Sequence, residues 1–212
     1  MISAVLADDH VVVRTGIKML LDADSDIEVV AEAAEGTEAY SLVARYKPDV
    51  LLLDISMPPG QSGLIACEKT AKDFPDTKVV ILTMFAEPEY LLYTLRGGAA
   101  GYVLKNSTPE QLRQAVHDVA NGGSYIHPTM VELLAKHAAG GSNDPSIQQL
   151  SCRELEILQL IARGHTNKEI SKMMFLSVKT VEAHRSKIYK KLHLKTRADA
   201  VDYALRHKLL DL

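Results

Sequence analysis

Val50-Leu-Leu-Leu-Asp54 is a run of four apolar residues closed by a carboxylate. A run this short and this apolar has no polar face. It reads as a strand buried on both sides, as in the middle of a parallel sheet. Working outward, the same form recurs. Ile2-Ser-Ala-Val-Leu-Ala7 is followed by Asp8-Asp9, Val79-Val-Ile-Leu82 by Thr83, and Gly101-Tyr-Val-Leu104 by Lys105. Five strands are predicted, at 2–7, 27–33, 50–54, 79–83 and 101–104. Helical patterns alternate with them near 11–22, 36–46, 63–74, 88–96 and 108–121. Thr108, Pro109 and Gln111 open the last helix as a capping box. This alternation implies βαβ units and an α/β doubly wound, five-stranded parallel sheet.

In such a sheet the carboxyl ends of the strands share one crevice. The carboxylates of Asp8, Asp9 and Asp54, the Thr83 hydroxyl and the Lys105 amine are expected to converge there. Close like charges repel, and a hard divalent cation relieves them. Asp54, the lone acid on the most apolar strand, is the expected phosphoacceptor. Mg²⁺ held by Asp8, Asp9, Asp54 and the Ser56 carbonyl would orient the incoming group and neutralise its oxygens. Lys105 would pair with one phosphoryl oxygen and Thr83 would donate to another. Tyr102 either swings inward when Thr83 moves or packs at a strand edge.

The length of 212 residues favours two domains. No apolar run approaches the roughly 18 residues of a membrane span. Asp8 and Asp9 interrupt the N-terminus too early for a signal peptide. Cys67 and Cys152 fall in different halves, which suits reduced thiols and a cytoplasmic protein. The eight histidines show no zinc-ligand spacing. The net charge of −3 hides an asymmetry: residues 1–140 carry 11 Lys+Arg against 19 Asp+Glu, a net −8, and residues 141–212 carry 13 against 8, a net +5. Only the second half is suited to a polyanion.

Gly122-Gly123 ends the first pattern. Pro128 to His137 reads as a short amphipathic helix, with Glu132 and Lys136 one turn apart. Gly140-Gly-Ser-Asn-Asp-Pro145 has linker composition. The expected division is a domain over 1–121, a linker with a short helix over 122–147 and a domain over 148–212. The last is all-α with four helices. Ser151 and Glu154 cap the first, Leu155, Leu158 and Ile161 form its stripe, and Gly164 ends it. A second helix runs from about Asn167 to Met174. Ser177 caps a third, Val178 to Leu192, which buries Val181, Ile188 and Leu192. Thr196 and Asp199 cap the fourth, whose apolar residues are Val201 and Leu205.

Short helix, tight turn and longer helix read as a helix-turn-helix. The longer helix carries Lys179, Thr180, Glu182, Ala183, His184, Arg185, Ser186, Lys187, Lys190 and Lys191. With Lys168 on the preceding helix, these are the candidate contacts to double-stranded DNA.

Asp8-Asp9, Asp54-Ile-Ser-Met-Pro58, Leu82-Thr83 and Tyr102-Val-Leu-Lys105 resemble the receiver domain of two-component response regulators over about residues 1–121. Leu150-Ser-Cys-Arg-Glu-Leu-Glu156, Gly164-His-Thr-Asn-Lys-Glu-Ile170, Ser177-Val-Lys-Thr-Val-Glu-Ala-His184 and Lys191-Leu192 resemble the LuxR-type helix-turn-helix over about 148–210. Together they resemble the NarL/FixJ class. The Met57-Pro-Pro-Gly loop and the Leu82-Thr-Met-Phe85 run further resemble staphylococcal oxygen-responsive regulators of nitrate and nitrite respiration. The resemblance implies phosphorylation of Asp54 by a sensor histidine kinase, promoter binding and a homodimer in the phosphorylated state, with no membrane partner. The loop from Met57 to Gly63 is one residue longer than the family pattern and lacks its usual acid. In the nitrate-responsive member, base readers occupy the positions of Glu182, Ala183 and Ser186. Two are lysines there and neither is retained, so a different operator is implied.

Two alternatives stand beside this reading. An aspartate-nucleophile phosphatase would need a general acid two residues after Asp54, where Ser56 cannot serve. A DNA-binding regulator whose receiver acts without phosphorylation would leave Asp54 idle.

Overall fold

The computed structural model describes the chain except residues 56, 58–62, 85, 87, 140–149, 175, 208 and 211–212, and except the side chains of 88, 89, 137–139 and 152. Met1–Gly141 and Ser142–Leu212 are two compact units.

In the first unit, β1 (Ile2–Ala7), β2 (Ile27–Ala33), β3 (Val50–Asp54), β4 (Lys78–Thr83), β5 (Gly101–Leu104) and β6 (Tyr125–Ile126) form one sheet in the order β2-β1-β3-β4-β5-β6. Every pairing is parallel. The most apolar strand, β3, lies inside the sheet and is buried along its whole length. The order reverses between β1 and β3, which places the crevice of a doubly wound sheet at their carboxyl ends. The sixth strand corrects the five-stranded expectation. β6 has two residues, too few to display a period of two, and only pairing with Gly101 and Tyr102 defines it.

The helices of this unit are α1 (Val11–Asp22), α2 (Gly36–Tyr46), α3 (Gly63–Asp73), α4 (Pro88–Arg96), α5 (Pro109–Ala120) and α6 (Pro128–Ala139). α1 packs with α5, whereas α2 packs with α3, α3 with α4 and α4 with α6. The strands alternate their side chains between two layers. Leu6, Leu52, Val80 and Leu82 meet Ile17 and Leu21 of α1 and Leu112 and Val116 of α5 in one core.

The second unit holds α7 (Cys152–Ala162), α8 (Asn167–Met173), α9 (Val178–Lys191) and α10 (Arg197–Arg206). Leu155, Leu158, Ile161, Val181, Ile188 and Leu192 are buried as the periodicity requires. On α10 the buried face is Ala200, Tyr203 and Ala204, while Val201 is half-buried and Leu205 is exposed. The two larger aliphatic residues are thus not the face that packs. Among the described residues no helix is long and apolar enough to cross a membrane.

Candidate functional site

The carboxyl ends of β1, β3, β4 and β5 bring Asp8, Asp9, Asp54, Thr83 and Lys105 to one place. Asp54, the last residue of β3, is opposite Leu82, and Thr83, the last of β4, is opposite Leu104. The Lys105 N–H donates to the Thr83 carbonyl at 2.8 Å, so sheet register carries Lys105 to the strand ends. Its Nζ donates to Asp54 Oδ2 at 2.8 Å and lies 2.8 Å from Asp8 Oδ2. Asp8, Asp54 and Thr83 are buried. Burial favours the neutral amine of Lys105, but hydrogen bonding and charge attraction from Asp54 and Asp8 outweigh it. They hold its pKa above the ordinary lysine value, so it is a fixed cation.

Asp8, Asp9, His10 and Asp54 offer ligand atoms that all lie within 4.8 Å of one another. Asp8 Oδ2 and Asp9 Oδ1 are buried, with the Lys105 Nζ 2.8 Å from the first and the His10 Nδ1 2.7 Å from the second. Carboxylate oxygens outnumbering their donors fit a hard divalent cation. His10 joins the set unforeseen by the sequence reading. Its Nδ1 lies 2.7 Å from Asp9 Oδ1, and its place directly after Asp8-Asp9 was the available signal. The His10 N–H donates to Asp8 Oδ1 at 2.9 Å, and Arg14 donates to the Asp8 carbonyl at 2.6 Å, so the turn after β1 is braced.

Ser56, proposed as a carbonyl ligand, lies outside the described residues, as do 58–62 of the lengthened loop. Its far end is described. The Gly63 N–H donates to the Ile55 carbonyl at 3.1 Å. A Cβ on Gly63 would stand 1.8 Å from the Asp54 carbonyl oxygen, so α3 starts hard against the backbone of Asp54. Tyr102 is fully buried, and its carbonyl accepts the His127 N–H beside β6.

In the second unit, Ser177 caps α9 by accepting from the Thr180 N–H at 3.0 Å. Lys168, Lys179, Glu182, Ala183, Arg185, Ser186, Lys187 and Lys190 are exposed. Arg185 reaches Asn167 Oδ1 and lies over the Tyr189 ring, 5.4 Å from its centroid. Thr180 is half-buried with its hydroxyl 2.7 Å from Ser177 Oγ. Two of the predicted contacts point elsewhere. The Lys191 ammonium sits 2.6 Å from Glu154 Oε2. His184 is half-buried with Nδ1 enclosed, and burial pushes its pKa down, so it is a poor phosphate-binding cation. Both lie on the flank of α9 nearest α7, which helical spacing alone did not distinguish from the open face.

The response regulator receiver domain matches residues 4–117, and the luxR family of bacterial regulatory proteins matches 148–204. The chain is 53% identical over 214 residues to the oxygen regulatory protein NreC of Staphylococcus carnosus strain TM300, covering 98% of each. It is similar to the structure of RcsB from Salmonella enterica serovar Typhimurium bound to promoter P1flhDC with phosphomimetic BeF₃⁻. That likeness has a TM-score of 0.72 at 29% identity, over 100% of this chain and 99% of that one. A LuxR-family two-component response regulator from Aurantimonas sp. SI85-9A1 is similar with a TM-score of 0.63 at 31% identity, over 66% of this chain and 99% of that one. An acidic crevice closed by lysine, followed by a helix-turn-helix with a basic outer face, thus has a family: the chain belongs to the two-component response regulators that join a receiver to a luxR-family DNA-binding domain, and it is a regulator rather than an enzyme.

Proposed function

We propose that this chain is a cytoplasmic, phosphorylation-gated transcription factor, with a receiver over 1–121, a linker over 122–147 and a DNA-binding domain over 148–212. A sensor histidine kinase is the phosphoryl donor. An Asp54 carboxylate oxygen attacks phosphorus, the bond to the kinase histidine breaks, and that histidine nitrogen leaves with the electron pair. Asp8, Asp9 and Asp54 would hold Mg²⁺, which supplies charge neutralisation for the transferring group. Lys105 exchanges its contact with Asp54 for a phosphoryl oxygen. The Thr83 hydroxyl donates to another, and Tyr102 packs behind it. The acyl phosphate biases the receiver between two states. The second domain then binds promoter DNA as a homodimer, with α9 in the major groove.

The observation that supports this most directly is the Lys105 ammonium held at 2.8 Å from both Asp54 and Asp8 in a buried crevice. The test is DNA binding with and without beryllofluoride in Mg²⁺, in wild type and Asp54→Ala. Tighter binding with the mimic in wild type alone is expected. Equal binding in all four samples would sink the gating, and the phosphorylation-independent alternative would stand.

A further inference from the structure

Val181 and Ile188 are buried and mark the back of α9. At 100° per residue, Lys179, Ala183, Ser186 and Lys190 lie opposite them, with Glu182 and Lys187 on the two flanks. All six are exposed.

Glu182 is the anomaly of this face. The other described acids of the unit are committed: Glu154 caps α7 and holds Lys191, Glu156 pairs with Arg153, Glu169 caps α8, Asp199 caps α10 and Asp202 pairs with Arg206. Among the described residues Glu182 makes no cap and no ion pair, although Lys179 and Arg185 stand one turn away on either side. An open carboxylate on a basic surface is repelled by every phosphate it meets. Its favourable partners in a major groove are amino groups on base edges. Cytosine N4 is a donor with no acceptor beside it on the same base, whereas adenine N6 is flanked by the N7 acceptor, which repels a carboxylate. Ala183 and Ser186 are short and leave room for a base edge to approach.

We propose that Glu182 is a specificity-determining residue that accepts a hydrogen bond from a cytosine N4 amino group in the operator. This rests on the DNA-binding reading of α9 and names what it reads.

The test is selection of bound duplexes from a random pool by the full chain, in Mg²⁺ and beryllofluoride, for wild type, Glu182→Gln and Glu182→Ala. Wild type is expected to enrich a motif with a fixed cytosine. E182Q should move that position toward adenine, which a side-chain amide reads well, and E182A should lose the preference there while keeping the rest. Replacing that cytosine should weaken wild type by about 5-fold, and E182A by less than about 2-fold. Because Glu182 is exposed and unpaired, both variants should unfold as wild type does. Identical motifs in all three proteins, with or without a uniform gain in affinity for the variants, would overturn the inference and leave the DNA-binding reading intact. A wild-type chain that enriches no motif would overturn both.

Discussion

Lys105 shows how much one residue holds together. It neutralises two buried carboxylates, Asp8 and Asp54, at the same distance. Removing one member of a buried charge cluster leaves the others uncompensated, which costs about 3–5 kcal/mol. Lys105→Ala is therefore expected to be strongly destabilised in chelator, and Mg²⁺ should restore more stability to it than to wild type. Urea unfolding with and without Mg²⁺ measures both, and equal Mg²⁺ effects in the two proteins would contradict the shared cation role. Gly63 acts by absence. Its Cβ would overlap the Asp54 carbonyl oxygen, so Gly63→Ala must move α3 or β3. A cost of at least about 2 kcal/mol is expected, together with weaker beryllofluoride binding, because the displaced backbone carries Asp54. His184 titrates against the fold. Burial holds its pKa below the ordinary 6.5, with Glu154 pulling up and Arg153, Lys187 and Lys191 pulling down. As pH falls below about 6.5 the unfolded chain takes the proton first, so stability declines until the folded pKa is passed. His184→Asn should flatten that part of the pH profile of thermal unfolding, and an unchanged slope would show that the ring does not carry it.

Side chains define the starts of several helices in this chain, although not of α1 or α2. Thr108, Ser151, Thr166 and Thr196 each form a complete capping box, and Ser177 caps α9 with its hydroxyl. At the other end of α7, Gly164 takes a φ of +102° and Arg197 donates to the carbonyls of Ile161 and His165. Glu154 serves two elements at once, closing the N-terminus of α7 and anchoring Lys191 in the last turn of α9. Burial alone would raise its pKa, but hydrogen bonds from Lys191 and Ser151 outweigh that and lower it. Its contribution is present above about pH 4.5 and is lost as pH falls through the lower folded value. Glu154→Ala removes a cap and strands Lys191 against α7, at an expected cost of about 2–4 kcal/mol. Thr108→Ala, a cap alone on an exposed helix start, should cost about 1 kcal/mol. Comparing the two variants by urea unfolding separates an anchor from a cap, and equal losses would reduce Glu154 to a cap.

At the scale of the whole molecule, charge divides the work: the net −8 of residues 1–140 surrounds an acidic crevice, and the net +5 of residues 141–212 includes the open face of α9. DNA affinity is accordingly expected to fall with salt, and Lys179→Ala and Lys190→Ala should each lower the slope of log K against log salt by about 1 without altering the enriched motif. An unchanged slope would remove those lysines from the phosphate contacts. The sequence by itself determined the parallel sheet and the strand-end positions of Asp8, Asp54, Thr83 and Lys105. A β-strand with no polar face must be central, and a polar residue that ends such a run must stand at the edge of the core. It also determined the starts of α5, α7, α9 and α10, because a cap and its partner lie three residues apart and need no tertiary contact. What only the tertiary structure decided depends on backbone geometry and on pairing that no local pattern shows: the strand β6, which exists through its pairing with Gly101 and Tyr102 of β5; the closeness of Gly63 to the Asp54 backbone; and the entry of His10 into the carboxylate cluster. Most consequentially, it separated Lys191 and His184 from the open face of α9. Helical spacing alone did not set them apart, and the proximity of Glu154, 37 residues from Lys191 in sequence, turns their flank inward.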